Sequence, residues 1–316
     1  MIYPMLLQPA IKSAIWGGNR LKDGWNKPFS NNNIAESWEL SCHPQGCSIV
    51  ANGIYKDKTL ADVIISNVDF SGEKCKKFDF FPLLIKLIDA QDDLSVQVHP
   101  NDAYALEKEG QYGKTEMWYV LDAKDGAGVY CGFKSAMSKE DIYSALKKGT
   151  ITEYLNFIPV QKGDSIFIPA GTVHAICGGL LIYEAQQSSS LTYRLYDYGR
   201  VDADGKQRQL HIDKAIDIID GGAVCRKNEY VKEVGIAAKR LAQCEYFTVS
   251  EVDICDSYIF DVGQDTFLSI TAVDGSGVIL SEGNTYPICK GQTYFLPARL
   301  GRVEIKGHIK LLISSL

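Results

Sequence analysis

The chain has 316 residues, with 33 Lys and Arg against 39 Asp and Glu, giving a formal net charge of −6. This length can bury a large core and predicts two domains, over residues 1–240 and 241–316. The acidic balance and the dispersed basic residues argue against a nucleic-acid partner or an anionic membrane surface, and no apolar run is long enough to span a bilayer.

The N-terminus and the cysteines favour a cytoplasmic protein. Pro4 and Pro9 interrupt the first segment, which lacks the basic start and continuous apolar stretch of a signal peptide. Nine cysteines occur without a Cys-x-x-Cys pair, singly among apolar neighbours as at Cys131, Cys177 and Cys289. We expect buried, unpaired thiols in a reducing cytosol.

Residues 1–55 predict mostly β-structure. Residues 35–41 alternate as a strand does, and the Asn-Gly pair at 52–53 is a hairpin signal. Cys42, His43 and Cys47 lie close in sequence, but they lack the fourth ligand of a structural zinc site, and we favour an ordinary packing role. A short helix capped by a threonine is predicted to follow.

An apolar strand with a lysine in its middle comes next. Residues 80–90 read FFPLLIKLIDA, and Lys86 stands where a cation is costly to bury unless it has a partner or a task. Lys86 is therefore a candidate functional residue. The following SVQVHPND alternates strictly, so Gln97 and His99 share one strand face.

Two capped helices flank the next strand. Residues 101–109 predict a short capped helix, and residues 113–116 lead into the strand MWYVLDA. A capping box at Ser138 predicts a further helix that Gly149 ends.

Residues 163–178, GDSIFIPAGTVHAICG, read as a strand, a tight turn and a returning strand. Pro169 and Gly171 mark the turn, so His174 begins the returning strand with its ring directed inward and its two neighbours directed outward. The order of Gly, Pro, Gly and His resembles the second signature motif of the cupin β-barrels.

The remaining chain predicts further strands and an internal repeat. Residues 180–199 read as strand, polar loop and strand, residues 211–220 as a helix ended by a Gly pair, and residues 223–240 as a basic connector. Residues 162–170 match residues 290–298 in polar and apolar pattern. The second copy has arginines where Gly171 and His174 stand, so we expect it to bind no metal.

Four side chains are predicted to converge inside the first barrel, because strand phase and the barrel motif turn all four inward. Two imidazoles, a carboxylate and an amide oxygen form a plausible site for zinc, iron or manganese. A lone histidine is usually a core or surface residue, and we give that explanation to the other three histidines. The four candidate ligands are Gln97, His99, Glu116 and His174.

Several separated motifs, in order, resemble type I mannose-6-phosphate isomerases in their short bacterial form. They are AIWGG, ESWELSCHP, QVHPND, KTEMW, IPAGTVHA and TYRLYDYGR. The resemblance implies a mainly β fold of two cupin-type (jelly-roll) barrels with a few added helices, the C-terminal barrel being smaller and metal-free. It also implies one Zn²⁺ per chain on the four ligands above. The family's reactive arginine falls on Arg194 and its nearby acidic residue on Glu184, whereas its large helical insertion is absent from this chain.

The implied reaction interconverts mannose 6-phosphate and fructose 6-phosphate through an enediol. Arg194 is a poor base but a good partner for an enediolate or a phosphate. Lys86 fits binding of the substrate phosphate or a supporting role beside the ligands. Glu184 and Lys114 are better proton carriers, because Lys114 is two residues from a ligand and a nearby divalent cation disfavours its protonated form. Each residue has a plainer explanation: Lys114 and Glu184 could be surface charges, and Arg194 could pair with Asp197.

Two other functions fit the same residues. Two histidines and one carboxylate also form the facial triad of iron(II) oxygenases on similar barrels. A non-catalytic sugar-binding barrel is the third possibility, although it would not require Lys114, Glu184 and Arg194 in addition to the ligands.

Overall fold

The structure, a computed structural model, describes residues 2–25, 27, 33–201, 204–223, 225–228, 231–232 and 238–316. Over these residues it contains 21 strands and five α-helices, which confirms the mainly β prediction. The predicted connector 223–240 lies partly outside the described residues. Among the described helices none is long and apolar enough to cross a membrane.

The strands are β1 (Met5–Gln8), β2 (Ala10–Gly18), β3 (Ile34–Leu40), β4 (Ile49–Val50), β5 (Leu83–Ala90), β6 (Val96–Val98), β7 (Glu116–Ala123), β8 (Gly128–Phe133), β9 (Leu155–Pro159), β10 (Ser165–Ile168), β11 (His174–Ile176), β12 (Leu180–Gln187), β13 (Tyr193–Tyr196), β14 (Val231–Lys232), β15 (Ala238–Gln243), β16 (Thr248–Ile254), β17 (Ser257–Val262), β18 (Leu268–Ser281), β19 (Asn284–Cys289), β20 (Thr293–Leu296) and β21 (Gly301–Ser315). The α-helices are α1 (Arg20–Trp25), α2 (Leu60–Ser66), α3 (Asp102–Glu109), α4 (Lys139–Lys148) and α5 (Ile212–Ile218). Short 3₁₀ helices cover Gly53–Tyr55, Val68–Ser71, Glu73–Lys77 and Ile151–Glu153.

The strands form three sheets. A six-stranded sheet has the order β10-β7-β12-β5-β2-β3, and a five-stranded sheet has the order β13-β6-β11-β8-β9. A ten-stranded sheet runs β14-β15-β16-β21-β18-β20-β1-β4, with β17 paired to β21 and β19 to β18. The N-terminal strands β1 and β4 therefore belong to the same sheet as the C-terminal strands.

The six-stranded sheet has an apolar core on each face. On one face, Ile88, Trp118 and Ile182 pack toward Val129 and Ile176 of the five-stranded sheet. The opposite face packs against the ten-stranded sheet, whose remaining apolar residues form a core of their own. The outer face of the five-stranded sheet is covered by α4 and α5. The site described below lies between the six- and five-stranded sheets.

The turn at Pro169 and Gly171 joins two sheets and does not close a hairpin. β10 pairs with β7 in the six-stranded sheet, whereas β11 pairs with β6 and β8 in the five-stranded sheet. The predicted order of strand, turn and strand is confirmed, but the two strands do not pair with each other. The crossing is what brings His174 opposite the residues of β7.

Three predicted helices begin at their predicted caps. Thr59, Asn101 and Ser138 each accept a backbone N–H three residues ahead, at the start of α2, α3 and α4. Helix α5 ends earlier than predicted, at Ile218. The chain leaves the helix there because the N–H of Asp220 donates to the carbonyl of Gly171, at 2.9 Å, in the turn before β11.

The Asn-Gly pair at residues 52–53 does not form a two-residue hairpin turn. The chain reverses over a longer loop, and Ile49 pairs with Thr59 in an antiparallel bridge. Residues 53–55 form a 3₁₀ turn, and Gly53 takes a φ of +63°. The Asn52 side chain accepts the N–H of Leu6 and donates to the carbonyl of Pro4, so it holds the chain against β1. These long-range bonds compete with the local hairpin signal.

The cysteine prediction is wrong at Cys131. Its sulfur is bonded to that of Cys225, with the two Cα atoms 5.5 Å apart and a sequence separation of 94. Cys177 and Cys289 are free, and burial raises the pKa of the Cys177 thiol to about 12. Sequence spacing gives no sign of the bonded pair, because only the fold brings Cys225 against β8.

The internal repeat has a counterpart in the backbone. Gly163 before β10 and Gly291 before β20 have φ values of +93° and +88°. At the turn after each strand, Gly171 has a φ of +86° and Arg299 keeps the left-handed conformation at +68°. The two copies therefore share a turn-strand-turn geometry, although the second copy has Arg299 where the first has Gly171.

Candidate metal centre

Two histidines and a glutamate meet between the six- and five-stranded sheets. His99 follows β6, His174 begins β11 and Glu116 begins β7, and their ligand atoms all lie within 4.8 Å of one another. Glu116 lies 3.3 Å from Nε2 of His174 and 3.6 Å from Nε2 of His99. All three side chains are at most 1% exposed. The structure thus brings together three of the four predicted ligand residues around one point.

His174 is held with its Nε2 unprotonated and therefore able to bind a metal. Its Nδ1 lies 2.8 Å from the carbonyl of Thr172, and a carbonyl can only accept, so Nδ1 carries the proton. Nε2 therefore presents its lone pair toward Glu116. Trp118 packs edge-on against the ring at a centroid distance of 5.4 Å and fixes its plane.

Burial sets the protonation of the three residues. It lowers the pKa of His174 to about 4 and that of His99 well below its ordinary value. Burial also raises the pKa of Glu116, against the opposing effect of the Lys114 ammonium. Both imidazoles are therefore neutral at neutral pH, which is the form that binds a metal.

The hydrogen-bond inventory fits a bound cation. Both ring nitrogens of His99 and Oε1 of Glu116 are buried without a hydrogen-bond partner, and Oε2 of Glu116 has only the Lys114 ammonium beside it, 3.0 Å away. Buried polar atoms are rarely left so, and a site with several of them calls for an occupant. The donor set of two imidazoles and one carboxylate suits zinc, iron or manganese.

Gln97 lies beside the three residues. It pairs with His174 across the five-stranded sheet, and its Nε2 lies 3.3 Å from Nε2 of His174. With Nδ1 of His174 protonated, this contact is an N–H donated by the amide to the ring. Metal ligation by Gln97 would require its amide to turn and present Oε1.

Glu184 and Lys86 form a buried ion pair next to the centre. Their side chains are opposite each other on β12 and β5, with Nζ and Oε1 3.1 Å apart, and both are under 7% exposed. The indole of Trp118 donates to Oε2 of Glu184 at 2.9 Å. The ammonium groups of Lys86 and Lys114 outweigh the effect of burial and lower the pKa of Glu184. The explanation of Glu184 as a surface charge is therefore wrong.

Lys86 contacts a second carboxylate, which the sequence analysis did not identify. Oε2 of Glu36 lies 3.4 Å from Nζ of Lys86 and accepts the indole N–H of Trp38 at 2.6 Å. Glu36 and Trp38 alternate on one face of the strand predicted at 35–41, so their shared inward face was the available signal. Lys86 thus lies between two carboxylates, which raise its pKa despite burial.

Lys114 is also buried, at 5% exposure, with its Nζ 3.0 Å from Oε2 of Glu116. Its backbone N–H donates to the carbonyl of Pro100, the residue after His99. The explanation of Lys114 as a surface charge is therefore wrong as well. Lys114 reaches the same carboxylate that faces the two histidines.

Arg194 stands at the edge of the five-stranded sheet, opposite Gln97 on β6. Its guanidinium donates to Oγ of Ser95 and to the carbonyl of Gln209, and no described carboxylate forms an ion pair with it. Burial and the nearby Arg208 lower the pKa of Arg194. A half-buried cation with only neutral partners can bind an anion.

The explanation that pairs Arg194 with Asp197 is wrong. Asp197 binds Arg200 and Arg208, each at 2.5 Å. Arg194, Arg200 and Arg208 together give three positive charges around one carboxylate, a basic edge that the sequence analysis missed. Residues 200–210 carry no strand or helix periodicity, so no pattern placed Arg208 near Arg194.

The fold and the site together define a class. The molecule is a mainly β, cupin-type protein with a buried His-Glu-His group that can hold a metal ion, lysine and glutamate beside it, and a basic edge. Two family profiles match the chain: "Phosphomannose isomerase type I, catalytic domain" over residues 5–126 and "Mannose-6-phosphate isomerase, cupin domain" over residues 237–316.

Similar proteins cover nearly the whole chain. The putative mannose-6-phosphate isomerase YvyI of Bacillus subtilis is 39% identical over 98% of both chains, and the mannose-6-phosphate isomerase of Streptococcus mutans is 37% identical over 99% of this chain and 98% of that one. The crystal structure of the Bacillus subtilis mannose 6-phosphate isomerase superposes with a TM-score of 0.92 at 36% identity over 99% of both chains. The chain therefore belongs to the type I mannose-6-phosphate isomerase family, as the sequence motifs predicted, and the prediction of an isomerase is confirmed.

Proposed function

We propose that this chain interconverts mannose 6-phosphate and fructose 6-phosphate, with one Zn²⁺ held by Gln97, His99, Glu116 and His174. The buried His-Glu-His group supports this most directly, because it occurs in a chain whose full-length relatives carry that activity in their names. When bound, a divalent metal would act as a Lewis acid that polarises the substrate carbonyl.

The protein's own residues would move the protons. The isomerisation removes a proton from C2 of the aldose and returns one to C1, while a second proton passes between the two oxygens. Glu184 is buried and kept ionised by Lys86 and Lys114, so its carboxylate is a suitable base for the carbon-bound proton. Lys114, beside Glu116, would carry the oxygen-bound proton.

Arg194 would bind the anionic parts of the substrate. Its position opposite Gln97 on the sheet supports this role. Arg200 and Arg208 add positive potential there, although Asp197 neutralises part of it. Lys86 is paired with Glu36 and Glu184, so we assign its charge to holding Glu184 ionised in preference to binding phosphate directly.

We also propose that the strands of the ten-stranded sheet within residues 241–316 form a smaller, metal-free cupin-type barrel, the C-terminal domain predicted over those residues. The repeated turn-strand-turn geometry supports this, together with the cupin-domain match over residues 237–316. In this copy Arg302 stands at the position of His174 and is exposed on β21. The cytoplasmic location stays a prediction.

The test is direct. Purified protein, stripped of metal and reloaded with Zn²⁺, is incubated with mannose 6-phosphate, and fructose 6-phosphate is measured. Absence of product with one zinc per chain would leave a sugar-binding function.

The facial-triad alternative has one observation in its favour, the set of two histidines and one carboxylate. Oxygen consumption with Fe²⁺ and no isomerisation would select it.

The Arg194→Ala variant separates substrate binding from metal binding. Because Arg194 contacts neither the histidines nor Glu116, we expect zinc content to stay at one per chain while kcat/KM falls by about 10²-fold or more. Metal analysis and steady-state kinetics give the two numbers. Parallel loss of zinc and activity would assign Arg194 a structural role.

A further inference from the structure

Gln186 is a buried residue of the site to which the proposed mechanism gives no role. It is the seventh residue of β12, fully buried, and lies directly opposite Glu116 on β7. Residues opposite each other in an antiparallel pair project from the same face, with their Cβ atoms about 5 Å apart. Gln186 also shares its face with Glu184, two positions earlier. Its side chain therefore projects into the space that holds the metal ligands.

The orientation of the Gln186 amide is fixed by its partners. Nε2 donates to the carbonyl of Gln187 at 2.7 Å and to the carbonyl of Ser189 at 2.8 Å. Both partners can only accept, so the nitrogen must face the loop that follows β12. Oε1 necessarily points the other way.

Oε1 of Gln186 is buried and has no hydrogen-bond partner. Among the described residues nine side-chain atoms share this condition, and six of them belong to His99, Glu116, Glu184 and Gln186. Two of the six, Oε2 of Glu116 and Oε1 of Glu184, still face the ammonium groups of Lys114 and Lys86, at 3.0 and 3.1 Å. The other four have no such partner, and several unpartnered polar atoms in one buried place indicate a missing common occupant. Three of these four belong to the proposed ligands His99 and Glu116. The fourth, on Gln186, has no such role.

We infer that Gln186 is a positioning residue of the metal centre, whose Oε1 accepts a hydrogen bond from a water molecule held there beside Glu116. A carbonyl oxygen fixed by two bonds at the opposite end of its amide costs no reorganisation when it accepts. The same amide also ties the loop after β12 to the sheet. The next residue extends this arrangement: Oε1 of Gln187 accepts the N–H of Thr115, between Lys114 and Glu116.

This inference rests on the proposed metal centre and has a separate test. Zn²⁺ affinity is measured by competition with a chelating dye, in the wild type and in two variants. Gln186→Met keeps the size and removes both the donors and the acceptor. Gln186→Glu keeps an acceptor and removes both donors. Ser269→Ala is the matched control, because Ser269 also has a buried, unpartnered oxygen but lies on β18 of the ten-stranded sheet.

We expect Gln186→Met to bind Zn²⁺ about tenfold more weakly than the wild type, as is usual when an outer-shell partner of a metal site is removed. Gln186→Glu should bind at least as tightly as the wild type, although it unfolds at a lower temperature. Ser269→Ala should be unchanged in affinity. In Co²⁺-loaded protein, the visible spectrum should change with pH at a different midpoint in Gln186→Met, because the bound water has lost an acceptor.

Two results would overturn the inference. Unchanged affinity and an unchanged Co²⁺ spectrum in Gln186→Met would mean that Oε1 serves no bound group. Equal weakening in Gln186→Met and Gln186→Glu would mean that only the loop contacts matter. A wild type that binds no metal would instead remove the metal centre itself, so the two failures are distinguishable.

Discussion

Desolvation dominates the chemistry of the individual site residues. His99, Glu116 and His174 are placed where neither a charged imidazole nor an unpaired carboxylate is well solvated. In the metal-free protein the neutral form of each side chain is favoured. A bound divalent cation would instead favour the ionised carboxylate of Glu116. Metal binding and protonation therefore compete at the same three side chains.

This competition predicts how the stability of the metal-free protein depends on pH. An unfolded histidine titrates near pH 6.5, whereas burial lowers the pKa of both His99 and His174. Between pH 6.5 and about 4.5 the unfolded chain thus binds two protons that the folded site excludes. Glu116, with its raised pKa, binds one that the unfolded chain releases. For these three residues the unfolded state holds a net excess of one proton, and burial also lowers the pKa of His43 and His211. Stability therefore falls with falling pH by roughly 1.4 kcal/mol per unit or more.

Urea unfolding of chelator-treated protein at several pH values measures this slope. His174→Gln removes one of the two excess protons and should flatten the curve in that window. His308→Gln, at an exposed position on β21, should leave the slope as it is. A wild-type stability that does not change between pH 6.5 and 5 would contradict the prediction.

At the scale of elements, the turn between β10 and β11 positions the centre. Gly171 has a φ of +86°, and its N–H donates to the carbonyl of His99 at 2.8 Å. One turn therefore carries His174 across from the six-stranded sheet and also holds the backbone of His99.

Gly171→Ala tests the role of this turn. The added Cβ would lie 3.1 Å from the carbonyl oxygen of Ile218, in a conformation that costs an L-residue about 1–2 kcal/mol. Gly126→Ala is the matched control, because Gly126 has a φ of +77° and an added Cβ there meets no described atom within 4 Å. We expect both variants to lose stability in urea unfolding and only Gly171→Ala to bind Zn²⁺ more weakly. Equal zinc affinity in the two would argue against the turn as a positioning element.

The sequence pattern predicted which residues of a strand share a face, but it did not predict which strands pair with each other. Alternation placed Gln97 and His99 on one face, and the turn residues placed His174 correctly. It could not show that β10 and β11 enter different sheets, because periodicity carries no information about pairing. For the same reason the sequence did not reveal three contacts, because each joins segments that are far apart in the chain. They are the contacts of Glu36 with Lys86, of Gln186 with Glu116 and of Cys225 with Cys131.

At the scale of the whole molecule, the six-stranded sheet depends on both neighbours. Its second face presents Leu83, Met117 and Tyr183 to the ten-stranded sheet, where Phe247 and Phe295 cover them. The hydroxyl of Tyr183 bonds to Oγ of Ser314 at 2.7 Å, so even the polar group of this face finds its partner in the C-terminal part.

This packing predicts that residues 1–236 do not fold as an independent domain, although the sequence suggests a division near residue 240. Ending the chain at residue 236 would expose the second face of the six-stranded sheet. It would also leave β1 and β4 without β20, the neighbour of β1. Exposing apolar area costs about 25 cal/mol per Å², whereas a domain is usually stable by only about 5–15 kcal/mol, so uncovering this apolar face opposes folding of the shortened chain.

We therefore expect the 1–236 chain to aggregate or to bind a hydrophobic dye without a cooperative thermal transition, and to retain no stoichiometric zinc. Size-exclusion chromatography, dye fluorescence and metal analysis measure these properties, with the full chain as the reference. A monomeric 1–236 chain that melts cooperatively and holds one zinc would show that the metal centre needs only the six- and five-stranded sheets. The ten-stranded sheet would then act as an attached module, and the shared core would be dispensable.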